Sequence, residues 1–252
     1  QGVSGQLPSI EYSSFLASSD FDESLGVAFT PDGKIVVVGW TSGTDFPIRN
    51  AYRPSNNFFT ADGFIAKIDP TQSGDASLLF STYVGGDDGS DYTHDVDVDS
   101  SGFIYVLGDT RSSGLQADSV IFGTADGSDI DIFVMKLTPD GQPVHTTIIG
   151  GSGVDAGFDI EVDADGAMYV AGETTSPDFP LRNPDDDVPT GDYSDEGFLF
   201  KLAPNGQSLE YSTYIGGSHL DRATRVALGS DGSAYVLART SSLDFPVTRS
   251  YF

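Results

Sequence analysis

The sequence predicts an all-β fold: a β-propeller of four-stranded antiparallel blades, three complete and the rest partial. Three observations carry this reading. A DG or SG turn recurs at Gly33, Gly102, Gly166 and Gly232, in steps of 69, 64 and 66 residues. Thr41, Thr110, Thr174 and Thr240 repeat those steps, as do Asp22, Asp91, Asp155 and Asp221, and each aspartate precedes its threonine by 19 residues. Between these marks stand short runs of β-branched and aromatic residues, with no helical periodicity over a dozen positions. Repeated sheets of this kind have two apolar faces, and setting them around an axis buries the faces and leaves only short edges.

The elements follow in order. IEYSSFL (10–16) matches the fourth strand of a blade, so 10–25 is read as the outer strand of an incomplete blade. Complete blades are expected over 26–86, 95–151 and 159–217, and a partial one over 225–252. Each opens on a first strand: GVAFT (26–30), DVDVD (95–99), DIEVD (159–163) and RVALG (225–229). The glycine turn then permits positive φ, and a second strand follows, KIVVVGW in the first blade and FIYVLGD in the next. A variable loop begins with TSGTDFP (41–47), TTSPDFP (174–180) or TSSLDFP (240–246), whose proline ends pairing. In it Phe46, Phe179 and Phe245 are expected to plug the blade edge. Third strands are GFIAKI (63–68), IFVMKL (132–137) and GFLFKL (197–202), and fourth strands lie over 78–86, 144–151 and 209–217.

Composition bounds the partners. The chain of 252 residues carries 12 basic and 38 acidic residues, a net charge of -26, and 32 of the acids are Asp. Such a surface repels nucleic acid and anionic lipid. No apolar run is long enough for a membrane helix, and the absence of cysteine removes disulfides and thiolate metal sites. The chain starts at Gln1 rather than Met and stops two strands into its last blade. The expectation is a piece of a longer protein, or a second copy completing the open blade by self-association.

Candidate chemistry is sparse. Asp22, Asp91, Asp155 and Asp221 recur once per blade, which suits a cap on backbone N–H groups where the chain enters the inner strand. Symmetry breaks at Asp95, Asp97 and Asp99, and at Asp159, Glu161 and Asp163, where blade one has Gly26, Ala28 and Thr30. An unpaired row of carboxylates against a neighbouring blade would be costly to bury, so the row must be paired, wet or metal-bound. Short carboxylates suit hard cations, so calcium on Asp91 with Asp95, or Asp155 with Asp159, is the candidate metal site. Lys67, Lys136 and Lys201 are expected to pair with a neighbouring blade. His94, His145 and His219 share no repeat position or ligand spacing and are read as incidental. No nucleophile elbow, HExxH or phosphate loop is present, so no catalytic residue or cofactor is assigned.

The order YSTYIGG, then Asp, a strand–DG–strand hairpin, TSSxDFP and GFxxKLxPxG resembles the bacterial β-propeller repeat family abbreviated SBBP, and more distantly the NHL propellers. The likeness spans about residues 10–246 and departs at TRSSGLQ (110–116) and ASSDFDE (17–23). It implies a propeller within a secreted or surface-attached bacterial protein, with no enzymatic activity. The expected function is an extracellular scaffold, adhesion or protein-interaction module. The alternatives are a glycan-binding or glycan-active propeller with an acidic channel mouth, and a subunit of a surface filament or layer. The partner is then a protein or glycan at the cell surface.

Overall fold

A computed structural model describes residues 12–56, 60–115, 117–121, 128–186 and 195–246. Blade one is an antiparallel sheet of β1 (Asp22–Phe29), β2 (Ile35–Thr41), β3 (Asp62–Ile68) and β4 (Leu78–Val84). Blade two contains β5 (Asp91–Val98), β6 (Ile104–Thr110), β8 (Asp131–Leu137) and β9 (Pro143–Ile149), with a short β7 (Ser119–Ile121) added parallel to β9. Blade three contains β10 (Asp155–Val162), β11 (Met168–Thr174), β12 (Glu196–Leu202) and β13 (Leu209–Ile215). The hairpin of β14 (Asp221–Leu228) and β15 (Ala234–Thr240) begins blade four. Gly33, Gly102, Gly166 and Gly232 turn the first hairpins at φ 76, 85, 85 and 83°.

Two sequence expectations change. First strands begin at the recurring aspartate, four residues before the expected 26, 95, 159 and 225. A bulge in each carries the pairing across, between Ser24 and Gly26, Thr93 and Asp95, Gly157 and Asp159, and Ala223 and Arg225. Opposite the first three bulges stand Gly39, Gly108 and Gly172, where a Cβ would collide with the carbonyl oxygen of Glu23, Tyr92 or Ala156. Secondly, of the fourth-strand match at 10–16 the described residues, 12–16, form no strand. Tyr12 instead donates to Ser77 Oγ (3.2 Å), and Leu16 packs on the Phe46, Phe64 and Tyr83 cluster.

Blades pack face to face, and each junction is one apolar cluster. Val36 and Val38 meet Val96 between blades one and two; Tyr105 and Leu107 meet Ile160 between two and three. Tyr169 and Ala171 meet Val226 between three and four. The outermost strands are shielded as well. The loop after the second strand folds back onto the blade edge, through Arg49 on Ser81, Arg182 on Ser212, and β7 on β9. Covering an edge in this way removes a template for unwanted pairing.

Candidate functional site

The recurring aspartates come first. Asp91 Oδ2 accepts from Gly86 N (2.8 Å) and Ser112 Oγ (2.6 Å); Asp155 Oδ2 accepts from Gly151 N (2.6 Å) and Ser176 Oγ (2.8 Å). Asp221 Oδ2 does the same with Gly217 N and Ser242 Oγ, both at 2.7 Å. These are caps on the incoming chain. Burial raises Asp91, and it pushes Asp155 up to about 6 even against its donors. Blade one reaches the same geometry with different residues. Ser18 N donates to Asp22 Oδ2 (2.7 Å) and Ser18 Oγ supplies the hydroxyl (2.9 Å), while Gly43 stands where the other blades have that serine.

The asymmetric acids also find backbone. Asp95 Oδ2 accepts from Ile160 N (3.1 Å), Asp97 Oδ2 from Val162 N (2.8 Å) and Asp159 Oδ2 from Val226 N (2.6 Å). Each carboxylate therefore satisfies the free edge of the next blade's inner strand, which otherwise exposes unpaired donors. Burial raises Asp95, Asp97 and Asp159, and it pushes Glu161 up to about 6, reinforced by the charges of Asp97, Asp159 and Asp95. Arg225 Nε approaches Asp159 Oδ1 at 3.5 Å.

The residues of the calcium pairs expected from sequence have protein partners of their own. Asp91 and Asp155 cap their own blades, whereas Asp95 and Asp159 reach into the following one. Among the described residues no three His, Asp or Glu side chains converge as a metal site. The recurring lysines differ from one another. Lys67 Nζ donates to Pro139 O of the next blade (3.0 Å), but Lys136 lies over Phe103 and Tyr105, and Lys201 pairs with Asp163 (3.2 Å) and Glu210 (2.9 Å) of its own blade.

The DFP aromatics behave as expected where a third strand is present. Phe46 stacks on Phe64 (4.5 Å) and Phe179 on Phe198 (4.7 Å), while Phe245 is only half-buried. Blade two fills the same position with Leu115. Its other departures are coupled: Asp88, in the inter-blade loop, accepts from Ser113 N (2.6 Å) and Ser113 Oγ (2.8 Å). Blades three and four place that carboxylate in the DFP station, where Asp178 accepts from Ser152 N and Asp244 from Ser218 N. The acidic loop at 183–192 lies outside the described residues from 187 onward.

One register pair near the start of each inner strand also differs from blade to blade. The pairs are Glu23–Trp40, Tyr92–Asp109, Ala156–Glu173 and Arg222–Arg239. They form a linked row. Trp40 Nε1 donates to Glu23 Oε2 (3.0 Å), and its ring meets Tyr92 edge-on at 5.6 Å. Tyr92 stacks beside His94, whose Nε2 lies 2.7 Å from Asp109 Oδ2. Asp109 Oδ1 accepts from Gly157 N (3.2 Å), while Glu173 and Asp195 both pair with Arg222. Burial alone would lower His94, but the hydrogen bond and charge of Asp109 outweigh it and leave the imidazole raised.

Sequence reasoning set His94 aside. It is the extra residue of the β5 bulge, and bulges re-aim side chains. The glycine of YVLGD was the available signal, because glycine inside a strand marks a bulge or a close backbone approach.

Residues 79–116 match the SBBP β-propeller repeat model. That stretch is similar to a β-propeller repeat, and the four-stranded antiparallel sheets of the chain are β-propeller blades in architecture. A second match, over residues 30–47, is to a β-propeller domain of unknown function, DUF5122. No curated protein matches the chain. The repeat's recurring aspartates serve architecture here, and the row from Trp40 to Arg222 is one place where the blades differ.

Proposed function

We propose that the propeller is a non-enzymatic protein-interaction scaffold of the cell surface or extracellular space, and that it binds a basic partner segment along its inner rim. The observation that carries this is the row Trp40, Tyr92, His94 and Asp109. It sets aromatic faces beside carboxylates, a pairing that attracts Lys and Arg through cation–π and charge interactions. The net charge of -26 favours the same partner by steering. An extracellular setting is supported by the acidic, cysteine-free composition and by the repeat likeness. The acids most suited to a hydrolytic site, Asp95 and Asp159, are engaged by backbone N–H groups.

Trp40 is the single tryptophan, so its emission reports on the rim. Titration with Arg- and Lys-rich peptides is expected to shift that emission with an affinity that falls as salt rises. Tyr92→Ala and Asp109→Asn should each weaken binding about tenfold. Binding that leaves Trp40 silent and both variants unchanged would assign the attraction to the acidic surface at large. The half-buried rings of Trp40 and Tyr92 also favour a second reading, a glycan ligand, and a glycan array read with the same variants tests it.

A further inference from the structure

We propose that His94 gates the inner rim by acidity. As an imidazolium it claims Asp109 for itself and releases a basic segment; as a neutral imidazole it leaves that carboxylate's charge to the partner. This gate rests on the rim function proposed above. Its basis is a contact in which one acid faces one base. His94 Nε2 lies 2.7 Å from Asp109 Oδ2, and among the described residues no Lys or Arg pairs with Asp109. Both residues belong to blade two, which has a complete blade on either side.

Ionised Asp109 can only accept, so a neutral His94 presents Nε2–H to it and leaves Nδ1 bare. In that form the pair keeps one negative charge. A proton on Nδ1 cancels the charge and turns the hydrogen bond into an ion pair. A guanidinium or ammonium from a partner must then displace an internal cation to gain the same carboxylate. It also meets like charge beside the Tyr92 face, because the Tyr92 and His94 rings stack at 6.4 Å.

The other charged groups around the pair do not make this exchange. Asp95 of the same strand favours the imidazolium by its charge, but accepts from Ile160 N. Glu173 of β11 is taken up by Arg222, which also pairs with Asp195. Glu23 of β1 accepts from Trp40 Nε1, a donor that does not titrate. Asp109 Oδ1 is held by Gly157 N (3.2 Å), which fixes the carboxylate whichever form His94 takes. Asp109 raises His94 above its ordinary 6.5, so the gate turns in the physiological range.

The test is a titration with an oligo-arginine peptide, read by Trp40 emission at pH 8 and pH 5.5 and fixed salt. The unmodified chain should bind about fivefold more weakly at the lower pH. His94→Gln keeps a neutral donor for Asp109, and the ratio of its own two affinities should be close to one. Whatever Asp95, Asp159 and Glu161 contribute by titrating is common to both chains. Coupling is reciprocal, so in the unmodified chain saturating peptide should move the NMR titration of the His94 ring to lower pH. Equal binding at both pH values, a His94→Gln chain that keeps the full fall, or a His94 titration unmoved by peptide would overturn the gate and leave the rim function standing. Absence of binding at either pH would overturn the rim function, and the gate with it.

Discussion

At the scale of single residues, the buried aspartates set the response to pH. Asp155 is pushed up to about 6 by burial, from an ordinary value of 3.8. Between those values the folded state holds a proton that the unfolded chain has released, so stability falls as pH rises through this window. The shift corresponds to on the order of 3 kcal/mol. Raised His94 acts in the same direction at higher pH, since its contribution is full below 6.5 and is lost as pH climbs through its folded value. Asp69, held down to about 2 by Thr71 and Lys34, acts oppositely and withdraws its contribution only as pH falls below 3.8. The expected thermal midpoint is therefore higher near pH 5 than at pH 7. Asp155→Asn should flatten that slope in a melting series; an unaltered slope would remove Asp155 from the account.

The residue scale also shows what a sequence can hide. The carboxylate row was legible as a problem, because Asp95, Asp97 and Asp159 share a face and could not be buried unpaired. Its solution was not, since the partners are backbone N–H groups about 65 residues on, and every non-proline residue carries such a donor. The His94–Asp109 contact depends on one bulged residue, which shifts register without changing composition.

At the scale of elements, the third strands were legible to within a residue, because period-two patterns and glycine turns are local signals. The inner strands were set short because their first residues pair only through the bulge. The junction of the inter-blade loop with the TSxxDFP station adds a coupled pair. In blades two, three and four, glycine (Gly86, Gly151, Gly217) faces serine (Ser112, Ser176, Ser242), and a Cβ on each glycine would collide with or crowd that serine. Blade one reverses the arrangement, with Ser18 facing Gly43. Gly43→Ser alone should then cost about 1–3 kcal/mol through overpacking. Ser18→Gly alone removes the hydroxyl from Asp22 and should cost about 1 kcal/mol. The double variant, with the arrangement of the other blades, should recover most of both losses in denaturant melts. Simple additivity would mean that the two sites are independent.

At the scale of the whole molecule, cohesion between blades rests on the three apolar junctions and the row of capped edges. Dialysis against a chelator should accordingly leave the thermal midpoint unchanged to within about 1 °C, since a ligand bound only to the native state would raise it by mass action. A clear drop that calcium reverses would point to Asp91 with Asp95, or Asp155 with Asp159, as a metal site.

The carboxylates that reach between blades all point the same way along the chain. Acceptors sit on blades two and three, and the donors they satisfy sit on blades three and four. Peeling away the last blade leaves a bare anion that water hydrates at once. Removing blade two would instead take the carboxylate acceptors away from the amides of Ile160 and Val162. Val98, by contrast, already has Asp97 of its own strand as acceptor, so blade two does not lean on blade one in this way. The stack thus has a grain, like a row of roof tiles, the carboxylates of one blade lapping over the inner edge of the next.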